Sequence, residues 1–264
     1  MNAPEKLFLP DIQATPDMRR LAIDEVGVKG IRHPLTVRTA SGASQSTVAT
    51  IDMYVGLPEH VKGTHMSRFL EVLQAQHEPL SFASFRALVA TMCERLDATS
   101  GSVELRFPYF ITKKAPVSGV ESLLDYDVRW RGELKHGAFA CTVSVTAPVT
   151  SLCPCSKEIS AYGAHNQRSH IGITVDIDGE ISVERLAGVA EQEASCEVFG
   201  LLKRPDEKWV TERAYENPKF VEDLVRDIAL RLDAEPGVRA YVVESENFES
   251  IHNHSAYARL VKRK

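Results

Sequence analysis

The sequence predicts an α+β protein made of two modules, each a ββααββ unit with an antiparallel sheet. Three observations predict it. Apolar residues alternate with polar ones in paired stretches along the chain. Helix-spaced apolar runs interrupt that alternation in each half. The order strand-strand-helix-helix-strand-strand occurs twice, on either side of a join near residues 132–137. The repeat is one of elements and not of residues. It divides the chain into an N-terminal arm (1–30), a first module (31–134) and a second module (135–264) with most of the candidate site residues.

The arm has Pro4, Pro10 and Pro16 and little periodicity. Residues 35–39 read as a strand. After the turn ASGASQ, residues 47–55 alternate through Ile51, Met53 and Val55. Met66, Phe69, Leu70 and Leu73 lie on one helix face, and Phe85, Leu88, Val89, Met92 and Leu96 mark a second helix. Val103, Leu105 and Phe107, then Leu124, Tyr126, Val128 and Trp130, give two strands that close the first module.

The second module opens with Phe139, Cys141, Val143 and Val145, followed by Ile171, Ile173, Val175 and Ile177 up to the turn Asp178-Gly179. A helix is expected over 183–194. Another, from about 219, carries Val221, Leu224, Val225, Ile228 and Leu232 on one face, with Asn217-Pro218 as its start signal and Pro236-Gly237 as its stop. Residues 201–223 read as an irregular connection rich in acids and bases, and 241–246 and 256–261 as closing strands. Four-stranded sheets leave open edges, which pairing of modules and of several subunits into a closed barrel removes. A homo-oligomer is therefore expected.

Bulk properties narrow the function. The 264 residues are 44% hydrophobic and 25% charged, an ordinary globular composition. A net charge of −5 argues against a general nucleic-acid footprint but leaves room for a basic pocket that takes a small anion. No stretch approaches the length of a membrane span, and Leu7-Phe8-Leu9, stopped by Pro10, is too short for a signal-peptide core. A cytoplasmic protein is expected. Its five cysteines (Cys93, Cys141, Cys153, Cys155 and Cys196) are then thiols and not a disulfide framework.

The chemistry concentrates in SLCPCSKEISAYGAHNQRSH, residues 151–170. Cys-Pro-Cys is one residue short of a Cys-x-x-Cys redox pair, and one doublet does not make a structural zinc site. A turn with incidental thiols is the plain reading of such a doublet alone. A catalytic metal or nucleophile site is the alternative. Pro154 stiffens the backbone so that the thiols diverge, one toward a metal and the other toward substrate. His165 stands in a turn entering the next strand, and with Cys153 gives two of the roughly three ligands a catalytic metal needs. Further donors lie in Ile251-His252-Asn253-His254 and in LLKRPDEKWVTERAYENPKFVED, residues 201–223. Taken singly, His252 reads as a surface turn residue and Glu207 as a solvated charge; their joint occurrence raises the functional reading.

SLCPCSKEIS, GAHNQRSH, KRPDEKWVTERAYENPKFVEDLVRD, IHNHSA and, nearer the N-terminus, GTHMSRF resemble the prokaryotic type IB GTP cyclohydrolases of the tunnelling-fold superfamily. The resemblance spans essentially the whole chain after the arm. It implies a bimodular tunnelling fold whose antiparallel sheets assemble into barrels, in a homotetramer with inter-subunit active sites. It implies conversion of GTP to 7,8-dihydroneopterin triphosphate and formate, the first step of tetrahydrofolate biosynthesis, with a divalent metal ion (manganese, iron or zinc). Carried over by motif, Cys153, His165, Glu207 and His252 correspond to the metal site and Cys155 to the second active-site thiol. Glu222 corresponds to the carboxylate that anchors guanine. Which cysteine ligates and which reacts stays open.

The residue types suit that reaction. Opening the guanine imidazole at C8 needs an activated water and proton relays; a divalent metal lowers the pKa of water from ~15.7 to about 7, and an imidazole titrates in the right range. A mixed sulfur, nitrogen and oxygen donor set accepts several metals. A carboxylate at Glu222 matches the parallel donors of guanine N1–H and N2, although a first-turn acid more often just favours the helix dipole. No Gly-x-x-x-x-Gly-Lys-Ser/Thr loop is present, so the triphosphate must be met by scattered cations. His65, Arg68, Lys157, Arg168, Lys203 and Arg204 are candidates, Arg68 foremost. Two other readings are kept: an NADPH-dependent nitrile reductase of queuosine synthesis with the same fold, and a non-catalytic scaffold that binds a purine or pterin.

Overall fold

The computed structural model describes residues 13 and 15–264. Pro4, Pro10 and the Leu7-Phe8-Leu9 run lie outside the described residues. In chain order the elements are β1 (Ile23–Arg38), β2 (Ser44–Leu57), α1 (Met66–Gln74), α2 (Phe82–Arg95), β3 (Ser100–Lys114) and β4 (Glu121–Lys135). There follow β5 (Ala138–Leu152), α3 (Pro154–Ile159), β6 (Asn166–Ile177), α4 (Val183–Glu193), β7 (Cys196–Glu197), α5 (Arg204–Glu216), α6 (Val221–Asp233), β8 (Val238–Asn247) and β9 (Ala256–Arg263). The first half runs ββααββ; the second keeps that order in β5, β6, α4, α6, β8 and β9 but adds α3, β7 and α5. The β4–β5 hairpin, turning through His136 and Gly137 with φ of 49° and 81°, fuses their sheets into one. The order is β1-β2-β3-β4-β5-β6-β8-β9, antiparallel throughout, with the short β7 beside β5.

Alternation decides which face is buried. Cys141, Val143, Val145, Ala147 and Val149 of β5 and Ile171, Ile173, Val175 and Ile177 of β6 face the helices, as do Val103, Leu105 and Phe107 of β3 and Tyr241 and Val243 of β8. Against them pack Phe85, Leu88, Val89 and Met92 of α2, Leu186, Val189 and Ala190 of α4, and Leu224, Val225, Ile228 and Leu232 of α6. The opposite face is polar. There Arg106 joins Asp52 at 2.9 Å and pairs with Glu104, and Ser144 Oγ and Thr174 Oγ1 lie 2.8 Å apart.

Three sequence expectations need correction. The strand read at 35–39 begins at Ile23, inside the stretch assigned to the arm, because bulges at Ile23/Val26 and Val28/Ile31 break the alternation that reveals strands. The connection read as irregular over 201–223 contains α5. Of its 13 residues only Asp206 and Ala214 are buried, so it has no apolar stripe to betray it. The turn at Cys153 continues as α3, six residues with no buried side chain.

Candidate active site

The candidate residues of the second half gather at one end of the sheet. β5 ends at Leu152, and Cys153 caps α3: its Sγ accepts the Ser156 amide at 3.4 Å. Pro154 at the first helical position suits a turn whose amide has no partner inside the helix. Cys155, on α3, is exposed, whereas Cys153 is half-buried. The Cys153 amide donates to His165 O at 3.1 Å, and the His165 amide to Ser156 Oγ at 3.3 Å. A backbone bond therefore staples the thiol loop to the imidazole.

The ring of His165 is also oriented. Its Nδ1 lies 3.0 Å from Gln167 Oε1 and 3.9 Å from Glu249 Oε2. Gln167 is fixed in turn, for its Nε2 donates to Ser151 Oγ at 2.9 Å, and Ser151 Oγ is 2.7 Å from Ser169 Oγ in the buried interior. An imidazole held through Nδ1 by an oxygen acceptor presents Nε2 to an outside electrophile, the arrangement that metal-ligating histidines use. Glu249 was not singled out from the sequence. It opens the β8–β9 connection, which is tied to β6 by the Phe248 amide donating to Arg168 O at 3.0 Å and by the His170–Phe248 ring contact.

That connection carries His252, exposed and stacked on His254 with centroids 5.3 Å apart. Glu207 stands exposed in the first turn of α5, whose Val210, Thr211 and Ala214 share a depression of about 310 Å³ with Thr150, Asn166 and Arg168. The start of α6 arrives through the Lys219 amide, which donates to Leu152 O at 3.2 Å; Glu222 follows, exposed, in the first turn. Thus the elements bearing Cys153, His165, Glu207, Glu222 and His252 converge. The side chains do not close around one point in the single chain: among the described residues no three His, Cys, Asp or Glu groups could hold a metal ion. Cys153 and His165 fit such a centre by donor type and by the support given to the imidazole.

The basic candidates separate. Lys203 and Arg204 open α5, both exposed. Lys157 is engaged, its Nζ donating to Tyr215 O and lying 4.4 Å over the Tyr215 ring. His65 caps α1 and Arg68 stands on it, in the other half; Arg68 donates to Arg95 O at 3.5 Å and shares a depression with Glu71 and Arg95.

The other thiols are out of play. Cys93, Cys141 and Cys196 are buried, and burial pushes Cys141 up to about 12 and Cys196 to about 11, with Cys93 also raised. Such groups carry almost no thiolate at neutral pH, and the thiolate is the reactive form. Ellman's reagent should therefore titrate two thiols in the folded, metal-free protein and five in denaturant, with Cys155→Ala removing one of the fast pair. A third fast equivalent in the folded state would contradict the burial.

Known proteins bear on this arrangement. A family model described as type I GTP cyclohydrolase folE2 matches residues 9–258. The chain is 64% identical over 261 residues to GTP cyclohydrolase FolE2 1 of Dechloromonas aromatica (strain RCB), covering 98% of each. It is 59% identical over 264 residues to GTP cyclohydrolase FolE2 of Methylobacillus flagellatus, covering 100% of this chain and 99% of the relative. Among solved structures, uricase from Arthrobacter globiformis superposes with a TM-score of 0.54 at 7% identity, over 91% of this chain and 93% of that one. A hyperthermostable urate oxidase mutant of Bacillus sp. TB-90 also gives 0.54, at 9% identity over 92% and 99%. At such identities these two bear on the fold alone, and it is the α+β tunnelling fold expected from the sequence. With a family model spanning nearly the whole chain and relatives matching end to end, the chain belongs to the type I GTP cyclohydrolase FolE2 family.

Proposed function

We propose that the chain is a GTP cyclohydrolase that opens the imidazole ring of GTP at C8 and yields 7,8-dihydroneopterin triphosphate and formate for tetrahydrofolate synthesis in the cytoplasm. The observation that carries this reading is the 64% identity over 98% of both chains to a relative named GTP cyclohydrolase FolE2 1. The convergence of Cys153, His165, α5, the start of α6 and the β8–β9 connection supports it. No helix among the described residues is long and apolar enough to cross a membrane.

Cys153, His165, Glu207 and His252 are the residues that would hold a divalent ion, and manganese, iron and zinc all suit such a mixed donor set. When bound, the ion acts as a Lewis acid that makes water nucleophilic near neutral pH. The protein's own part is orientation and proton movement. Glu222 accepts from guanine N1–H and N2 as a bidentate pair and so fixes the base. His165, steadied at Nδ1 by Gln167 and Glu249, presents Nε2, the nitrogen through which it would hold the ion. Cys155, exposed on α3, is the second thiol at the site. Lys203, Arg204, His65 and Arg68 meet the triphosphate.

His65 and Arg68 belong to the other half of the chain, which supports a site completed by a second subunit. So do the sheet's two outer strands, β1 and β9, each paired on one side only among the described residues. Around the site Ile159, Tyr162, Phe220 and Ile251 are exposed, an apolar rim that a neighbour would cover. A homotetramer closes the sheets into a barrel on these grounds.

The test is an assay with GTP and added manganese, iron or zinc, read by pterin fluorescence after oxidation. Fluorescent product that disappears with EDTA and in Cys153→Ala is the expected result. The absence of product with all three metals overturns the reading, and NADPH oxidation that survives EDTA would favour the nitrile reductase.

A further inference from the structure

Glu207 has little of its own to hold it, since it is exposed on a helix that buries only two side chains. Its neighbour Asp206 is different. That carboxylate is fully buried, and both oxygens are used. Oδ1 accepts the amides of Val117 and Ser118, each at 2.8 Å. Oδ2 accepts the Ser118 hydroxyl at 2.6 Å and the Lys203 amide at 2.8 Å. Val117 and Ser118 form the turn between β3 and β4, in the first half of the chain. One side chain thus ties the tip of the first half's hairpin to the start of α5 in the second.

The segment leading to α5 is fastened to the same hairpin twice more. Lys113 of β3 reaches Glu197 Oε2 at 2.5 Å. Gly200 passes so close to β4 that a Cβ there would lie 2.6 Å from Leu123 O. Residues 197–206 therefore lie along the β3–β4 hairpin like a strap, and Glu207 is the first residue past its last fastening.

We infer that Asp206 is a positioning residue that sets where Glu207 stands, so that the first half of the chain fixes a metal ligand of the second. The inference rests on the reading of Glu207 as a ligand. A ligand geometry tolerates displacements of only about 0.5 Å, and a helix with a single buried apolar side chain, Ala214, does not supply that precision by packing. Four hydrogen bonds to one carboxylate do. Asparagine at this position replaces one acceptor oxygen by an NH2 that faces N–H or O–H donors, so the fastening becomes repulsive on one side.

The test is manganese binding to the full-length protein, followed by the electron paramagnetic resonance of free Mn²⁺. Asp206→Asn should weaken binding at least about tenfold. Ser118→Ala, which removes one of four bonds, should weaken it about two- to tenfold, and Ser118→Thr should restore it. Turnover of Asp206→Asn should recover more at saturating than at limiting manganese. A role in stability alone would lower the thermal midpoint and leave the manganese constant where it was. Folded variants that bind manganese within about twofold of wild type overturn the inference; if Asp206→Asn does not fold, Ser118→Ala decides in the same way. Glu207→Gln separates the two claims. Unchanged manganese binding in that variant removes the ligand and the inference together, whereas weakened binding there with unchanged binding in the Asp206 and Ser118 variants removes the inference alone.

Discussion

Glu222→Gln should lower kcat/KM for GTP by about 10²–10⁴ and leave the fold intact. Two hydrogen bonds from guanine to an ionised carboxylate are worth about 1.5–3 kcal/mol each, and their loss, about 3–6 kcal/mol, converts to that factor. Glutamine keeps one oxygen and turns an NH2 toward a donor of the base, so shape is preserved while the pairing is not. The competing role for a first-turn acid is to favour the helix dipole, worth about 0.3–1 kcal/mol. Glu222 is exposed, Phe220 supplies no side-chain cap, and Asp223 remains in the same turn, so the helix itself loses little. Asp223→Asn removes the same charge from the same turn and serves as the control, with an expected change under about threefold. Inosine triphosphate lacks the 2-amino group, so the penalty of Glu222→Gln should shrink with it. Equal losses in the two variants, or a penalty that is the same for both nucleotides, would make Glu222 a helix charge.

The strands were legible because a sheet with one face against helices writes a period of two into the chain. Ile171, Ile173, Val175 and Ile177 are all buried. The first part of β1 was not legible, because each bulge shifts the alternation by a residue and the two bulges fall within nine positions. α5 was hidden for the opposite reason. It buries only Asp206 and Ala214, and Pro205, Asp206 and Glu207 at its start were the available signal. At the site, spacing suggested that Cys153 and His165 belong together, and a single backbone bond between them is what joins them. Glu249 and Gln167 were invisible because their role is to orient another side chain. Gln167 stands two residues beyond His165, near enough to have been suspected as its partner, whereas Glu249 reaches it only through the pairing of β6 with β8. Asp206 likewise depends on a turn some 90 residues earlier, which no local pattern reports.

Lys113→Met should destabilise the protein by about 3–5 kcal/mol, the usual cost of removing one partner from a buried ion pair. Lys113 is only 8% exposed, and its Nζ lies 2.7 Å from Glu191 Oε2 and 2.5 Å from Glu197 Oε2. Methionine matches the stem but leaves two carboxylates facing each other without a cation. At about 2–4 °C per kcal/mol the thermal midpoint falls by roughly 6–20 °C. Burial alone would lower the pKa of the ammonium, but the two carboxylates outweigh it and hold the group above its ordinary value of 10.5. A folded-state pKa that is raised means stabilisation present in full below about 10.5 and lost as the pH climbs through the folded value. The wild type should therefore lose stability above that pH along a slope that Lys113→Met lacks. Charge and packing are separated by Lys113→Met combined with Glu191→Gln and Glu197→Gln. If the damage is electrostatic, the triple variant recovers most of the loss, because no uncompensated charge remains, and the single changes are strongly non-additive. A triple variant no more stable than Lys113→Met would assign the loss to the contact of the ammonium with Phe199, whose ring centre is 5.4 Å from Nζ.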